Sequence, residues 1–447
     1  MCPIERRHAF CGNVAKIAFI DQLSETYNFR KHRFALPVLA SGFSTQKQSS
    51  STMQNFDFYN PTRILFGEGR ISEIDDHVPP NANVMVLYGG ESARRYGTLH
   101  EVVESLGNRR ITEFGGIEAN PRYETLIRAV EKANTAKVDF LMAVGGGSVI
   151  DGAKFVAAAM TFEGDPWSIL TQHGANVQSA VPFGTVLTLP ATGSEMNQGA
   201  VVTNEKRRSK LAFKSPHVFP QFSVLDPTKT YTLPQRQLSN GIADAFVHVI
   251  EQYLTYPTGA MIQDRFAEGL LKTLIELAPK LNENNHDYPT RASFMWATTW
   301  ALNGMIGAGV PKDWASHMIG HELTALYDID HARTLAIVLP SLLRERREAK
   351  REKLLQYAGR VWDIHEGDEE SRIEEAIKRT RSFFEGIGIP TYLSDYDLDD
   401  AAIDAVVTNL RSHEMTELGE QKEITPEVSR KILQRSLCAE GSTQQTV

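Results

Sequence analysis

Cysteine is nearly absent. The 447 residues hold three, Cys2, Cys11 and Cys438, all close to the chain's ends. No Cys-x-x-Cys pair and no disulfide framework is available, and no thiol stands in the body of the chain as a nucleophile. These gaps count against a cysteine-ligated zinc dehydrogenase and a thiol-dependent aldehyde dehydrogenase, and they fit a reducing, cytoplasmic setting. Long apolar runs are missing too. The most apolar stretch, Val138 to Met160, is broken by Gly145, Gly146, Gly147, Asp151 and Lys154, so no bilayer span and no membrane partner is expected. An excess of positive charge is also missing. The formal net charge of −8 argues against a nucleic-acid partner. What remains is an ordinary globular composition, 42% hydrophobic and 23% charged, on a chain longer than one core usually serves.

Residues 1–52 stand apart. Arg6, Arg7, Lys16, Arg30, Lys31, Arg33 and Lys47 outnumber Glu5, Asp21 and Glu25, and the segment closes on a polar Ser/Thr/Gln run. It reads as a disordered extension, or as residues ahead of a true start at Met53, in preference to a transit peptide. From Asn60 onward strands alternate with helices. Arg63–Gly67, Asn83–Tyr88, Phe140–Val144, Val186–Leu189 and Ser223–Pro227 are apolar runs closed by glycine or proline. Such runs predict a mostly parallel sheet covered on both faces. After about Leu233 helical periods dominate, as in Arg265 to Leu281 and Phe294 to Leu302. The expected plan is an α/β domain over 53–232 with a Rossmann-like parallel sheet, then an all-α domain over 233–440. The charged run Arg344 to Lys353 mixes signs at helical spacing and predicts a solvated helix face. The tail from Glu440 reads as disordered.

Val144-Gly145-Gly146-Gly147-Ser148 follows a strand and opens a helix. Backbone N–H groups there can approach a pyrophosphate, helped by the positive helix end. Glycine leaves room for that approach and keeps positive φ accessible. The pattern is neither G-x-G-x-x-G nor a Walker A loop, and a plain tight turn explains it as well when it is taken alone. The earlier turn Gly89-Gly90-Glu91-Ser92 is placed to meet the adenosine ribose. An acidic residue at that point normally holds the ribose hydroxyls and rejects NADP. Here Gly90 is small and uncharged, with Ser92, Arg94 and Arg95 nearby, so NADP(H) is expected over NAD(H). Glu91 argues the other way if it turns inward.

In Asn240–His248 a carboxylate and an imidazole, Asp244 and His248, lie four residues apart on one helix face, with Glu251 on the same polar side. Alone, such a pair is most simply a solvent-facing stripe. A second pair, His317 and His321, lies four apart beside Trp314 and Met318. Asp328-Ile329-Asp330 then interrupts the helix, and His331 opens the next. A chain reversal there returns His331 toward His317. One carboxylate and three imidazoles make a four-ligand site for Zn²⁺ or Fe²⁺; spacing does not decide between His317 and His321. A dication against one carboxylate leaves the site net positive, suited to polarising a carbonyl.

At these residues the chain resembles the iron-activated, group III metal-containing alcohol dehydrogenases, and within them the NADPH-dependent aldehyde reductase and butanol dehydrogenase branch. The likeness runs from about Met53 to Arg435. It covers Asn60-Pro61-Thr62-Arg63-Ile64-Leu65-Phe66-Gly67, Gly145 to Asp151, Leu189-Pro190-Ala191-Thr192-Gly193-Ser194-Glu195 and Gly320-His321-Glu322-Leu323. The resemblance implies a dehydroquinate synthase-like fold and metal ligands Asp244, His248, His317 and His331. It implies that His321 lies beside the nicotinamide. It also implies cofactor contacts at Gly89, Gly90, Ser92, Gly145, Gly146, Gly147, Ser148, Thr188 and Thr192, with Asp151 and Lys210 in the active cleft. It implies a homodimer, with small aldehydes and alcohols as the molecules handled. The expected reaction is the NADPH-dependent, metal-dependent reduction of a short-chain aldehyde and its reverse, with Lys210 orienting the cofactor and His321 relaying a proton. The alternatives are an NAD-dependent glycerol- or diol-type dehydrogenase, a dehydroquinate synthase-like lyase, and a non-catalytic binding protein. The lyase needs a cluster of basic residues for a phosphate beside Asp244 or His331, and the sequence offers none there.

Overall fold

The computed structural model describes residues 52–283 and 286–439; the readings made for the first 51 residues and for the tail from Glu440 lie outside them. Among the described residues eight strands form: β1 (Arg63–Phe66), β2 (Asn83–Tyr88), β3 (Arg110–Phe114), β4 (Phe140–Gly146), β5 (Phe183–Leu189), β6 (Gly199–Asn204), β7 (Ser209–Lys214) and β8 (Phe222–Leu225). Six make one sheet in the order β1-β8-β5-β4-β2-β3, every pairing parallel. This is the expected parallel architecture. All six residues of β2 are buried, as an apolar strand covered on both faces requires.

Two elements were not anticipated. β3 is an edge strand whose residues are mostly half-buried, and its Arg-Ile-Thr-Glu-Phe sequence carries no continuous apolar run. β6 and β7 form a separate antiparallel hairpin that packs on the Gly147–Ala159 helix.

No strand follows β8 among the described residues, as the sequence pattern implied. The helices Gln235–Tyr253, Met261–Glu283, Tyr288–Ala301, Ala315–Tyr327 and His331–Glu345 are followed by four more, the last being Pro426–Arg435. Phe246, Leu271, Leu335, Ile337 and Phe384 sit in one continuous apolar core among them. No helix among the described residues is long and apolar enough to cross a membrane.

The charged run behaves differently from its sequence expectation. The helix ends at Glu345 and the next begins at Arg351, so no single solvated face exists. Lys350 is buried, 2.9 Å from Asp313 and 2.8 Å from Glu420, and it donates to the Leu254 carbonyl. An ammonium with three partners is stable in the interior where a lone one is not, and that local demand overrides helical spacing.

Candidate active site

Close approaches at glycine bring the pieces together. A Cβ on Gly241 would stand 2.4 Å from the Pro190 carbonyl, so only glycine lets the Gln235–Tyr253 helix rest on the end of β5. A Cβ on Gly320 would stand 2.8 Å from Thr334 Oγ1, which lets the Ala315–Tyr327 and His331–Glu345 helices meet. Between those helices the chain reverses through Asp328, in the left-handed region at φ 54°. Asp330 then ties His331's end of its helix to the first helix. Its Oδ2 accepts from Arg236 Nε at 2.8 Å and from Asn240 Nδ2 at 2.9 Å.

The result is a converging cluster. Nε2 of His331, His248 and His317 stand 3.7, 3.8 and 4.0 Å from Asp244 Oδ1. Donor atoms of Asp244, His317 and His331 all lie within 4.8 Å of one another. The His248 and His317 rings stack at 4.6 Å. The Gln235–Tyr253 helix is buried on nearly all sides, so Asp244 and His248 do not form the solvent-facing stripe that amphipathic spacing suggests. Asp244 Oδ1 and His317 Nε2 are buried without a hydrogen-bond partner. Such atoms are rare in native interiors, and a cation shared between them satisfies both. The donor set, three nitrogens and one carboxylate oxygen, also suits a divalent metal. The residues therefore fit the metal that the sequence implied.

The imidazoles are tuned to stay neutral. Burial, above all, holds His248 and His317 at about 4, against the pull of Asp244's charge. Burial, then the charge of Lys210, holds His321 and His331 well below the ordinary histidine range. Neutral nitrogens keep their lone pairs for a cation. Glu251, two helical turns beyond Asp244, takes the other side of His317: Nδ1 of the ring meets its Oε2, while the Ser316 N–H donates to Oε1. Burial first, then the charge of Asp313, raises the Glu251 carboxyl. His321 is buried, its ring 5.0 Å from that of His331 and 6.3 Å from that of His317. It adjoins the cluster without sharing Asp244.

The glycine turns line up beside it. β5, β4 and β2 are neighbours in the sheet, so the turns after them share one C-terminal edge, where open α/β sheets bind ligands. A Cβ on Gly145 would reach 2.5 Å from Val149, on Gly146 2.9 Å from Leu189, and on Gly147 2.2 Å from Thr192 Oγ1. None of the three has positive φ; close packing, not handedness, requires glycine there. Gly89 is similarly tight, 3.2 Å from the Ile117 carbonyl, whereas a Cβ on Gly90 would meet open space. Ser148 Oγ accepts from the Asn120 N–H, and Thr192 Oγ1 accepts from that of Ser194. Thr188 sits at the half-buried end of β5. Ser92 opens the Ser92–Arg95 helix, and Arg94 is drawn to Glu113 at 2.6 Å.

Lys210, on β7, is buried and donates to Asn120 Oδ1 at 2.9 Å. Burial lowers it to about 8, opposed by Asp244 and then Asp151. Asp151 spends both oxygens on the fold, accepting from Ser194 Oγ and the Val201 N–H. Beside it Lys154 is fully buried and donates to Asn197 Oδ1 and the Gly199 carbonyl. Asn120 and Asn197 carried no signal in the sequence, and Lys154 stood out there only as a charge inside an apolar stretch. Glu251 did carry one, lying seven residues from Asp244 on the same helix face.

Two family models match the chain: iron-containing alcohol dehydrogenase over residues 61–227, and the C-terminal model of the Fe-containing alcohol dehydrogenase family over 239–437. The NADPH-dependent aldehyde reductase YqhD of Escherichia coli is 56% identical over 382 residues, which is 85% of this chain and 99% of that protein. A probable NADH-dependent butanol dehydrogenase of Bacillus subtilis is 40% identical, over 86% of this chain and 100% of its own. The crystal structure of E. coli YqhD superposes with a TM-score of 0.85, covering 86% of this chain and 99% of that one. The NADH-dependent butanol dehydrogenase A of Thermotoga maritima superposes at 0.83 with 34% identity, over 87% of this chain and 100% of that one.

Proposed function

The chain belongs to the iron-containing alcohol dehydrogenase family, and on that premise we propose that it is an NADPH-dependent, metal-dependent aldehyde reductase, converting short-chain aldehydes to primary alcohols and back. The observation that carries this reading is the orphaned, buried Asp244 Oδ1 with three imidazole nitrogens at 3.7 to 4.0 Å. In this reading Asp244, His248, His317 and His331 hold one Zn²⁺ or Fe²⁺. Glu251 fixes the tautomer of His317, as a carboxylate behind a ligating histidine does.

When bound, the nicotinamide supplies a hydride, and the divalent cation supplies Lewis acidity toward the carbonyl oxygen. The chain does the rest by position. The turns at Gly89–Gly90 and Gly145–Ser148 receive the dinucleotide, with Thr188 and Thr192 beside them. Lys210 lends positive charge at the cleft, and Asp151 keeps the Ser194 and β6 walls in place. His321, neutral and next to the cluster, relays a proton from solvent to the product oxygen in the reduction and back to solvent in the reverse reaction. Open space at Gly90 leaves room for a 2′-phosphate near Ser92 and supports NADPH over NADH. Arg94, engaged by Glu113, is not needed for it.

The boundaries 53–232 and 233–440 follow the same reading, supported by where the two family matches fall. We take the protein to act in the cytoplasm as a homodimer. An exposed apolar strip supports the dimer: Met53, Phe56, Phe58 and Tyr59 are exposed, as are Met261, Ile262 and Phe266, and Gln263 donates to Met53 Sδ between the two segments. Contiguous patches of this kind mark contact surfaces. The test of function is NADPH oxidation by butanal before and after chelation, with NADH as the paired cofactor. Turnover that needs metal and favours NADPH is expected; turnover by metal-free protein contradicts the reading.

A further inference from the structure

Two lysines beside this site have no task in the chemistry above. Lys214 closes β7 four residues after Lys210, so strand alternation sets both on one face of the hairpin. The opposite face of the strand packs on the Gly147–Ala159 helix through Phe213 and Phe155, and β7 contacts the Ala315–Tyr327 helix that carries His317 and His321. The stem of Lys214 lies against Gly199, where a Cβ would stand 3.8 Å from its Cγ. Gly199 itself is pinned, its N–H by Asn197 and its carbonyl by Lys154.

Lys312 arrives from the helical side. It precedes Trp314, whose ring stands 5.3 Å from that of His317 and 6.3 Å from that of His248. A Cβ on Gly307 would lie 3.1 Å from Lys312 Nζ and 2.6 Å from Gln252 Oε1. Gln252 is one turn beyond His248 and donates to its carbonyl at 2.7 Å.

Lys214 ends the strand that contacts the Ala315–Tyr327 helix, and Lys312 lies three residues before that helix begins. Protein crowding lowers both below the ordinary lysine value, and Lys214's charge lowers Lys312 further. Both remain open to solvent, and neither makes an ion pair or a side-chain hydrogen bond among the described residues. The carboxylate next in the chain, Asp313, is committed to Lys350 at 2.9 Å. Two like charges left without an opposite one, beside a site for a small polar substrate, attract an anion.

We propose that Lys214 and Lys312 form an anion subsite beside the metal cluster, and that the preferred substrates are short-chain aldehydes bearing a terminal carboxylate. This rests on the aldehyde-reductase reading. The aldehyde carbon gains the hydride of NADPH and its oxygen gains a proton, giving the primary alcohol and NADP⁺; the carboxylate is unchanged.

Butanal and 4-oxobutanoate have equal carbon numbers and differ in the terminal carboxylate. Their kcat/KM values with NADPH are to be measured in the full chain, in Lys214→Ala, in Lys312→Ala, in the double alanine variant and in the double arginine variant. The ratio of 4-oxobutanoate to butanal should fall about tenfold in the double alanine variant, mainly through KM, as expected when charge-assisted contacts are lost. It should return in the arginine pair. The KM for 4-oxobutanoate alone should rise with salt. A ratio that stays the same in the alanine variants overturns the proposal, whatever happens to the absolute rates. Failure of the unaltered chain to oxidise NADPH with either aldehyde would sink the parent reading instead.

Discussion

At Asp244 a buried carboxylate oxygen meets three imidazole nitrogens and no hydrogen-bond donor. In a low-dielectric interior that arrangement is unfavourable unless positive charge enters it. His248→Ala removes one of the four donors while leaving the glycine turns intact. It should abolish stoichiometric metal and aldehyde turnover, with NADPH binding, followed by fluorescence, kept within a few-fold. Glu251 acts one step further out. Glu251→Ala should weaken metal affinity roughly 10- to 100-fold, measured by competition with a chromophoric chelator, and Glu251→Gln should recover part of it by keeping a hydrogen-bond acceptor on His317. Equal affinity in all three proteins would show that the His317–Glu251 contact is incidental.

The elements divide into those the sequence announces and those that tertiary context decides. β2, β4, β5 and β8 are apolar runs closed by glycine or proline, so pattern alone locates them. β3 lies at an edge with one side half-wet, and its mixed residues hide it. The β6–β7 hairpin was missed because its pairing partner is itself and its anchor is a buried lysine. The four proposed ligands were legible as types and spacings, yet preferring His317 to His321 rests on the family resemblance and on the geometry that brings His317, not His321, to Asp244. The Arg344 to Lys353 run was misread because burial of Lys350 is a long-range fact.

The hairpin's anchor gives a pH test. Burial, against the pull of Asp151 and then Glu195, holds Lys154 at about 8, below the ordinary 10.5. A base whose folded pKa is depressed opposes folding below that pKa, and the penalty is released as pH rises from about 8 toward 10.5. The stability of the wild-type chain relative to Lys154→Met should therefore grow across that window, read from urea midpoints at several pH values. A difference that is flat or shrinks would mean that Lys154 is not buried in charged form.

For the whole molecule, the site exists because two differently built regions touch at Gly241 and Pro190, setting a helix-borne ligand cluster against the C-terminal edge of the sheet. The sheet supplies the glycine turns, the helices supply the proposed ligands, and the hairpin carries Lys210 and Lys214 on one face. The exposed strip from Met53 to Tyr59, with the exposed Met261 and Ile262, puts large apolar side chains in water. Sedimentation at micromolar concentration should give about twice the chain's mass, and Phe56→Asp combined with Ile262→Asp should give the mass of one chain. A wild-type protein that sediments as a single chain would remove the strip from the account.

The most direct measurement is X-ray absorption on the zinc- or iron-loaded protein. Three imidazole nitrogens and one carboxylate oxygen at about 2.0–2.2 Å are expected in the unaltered chain, with one nitrogen lost in His248→Ala. A bound metal whose coordination shell is the same in both proteins would contradict the claim that these four residues hold it.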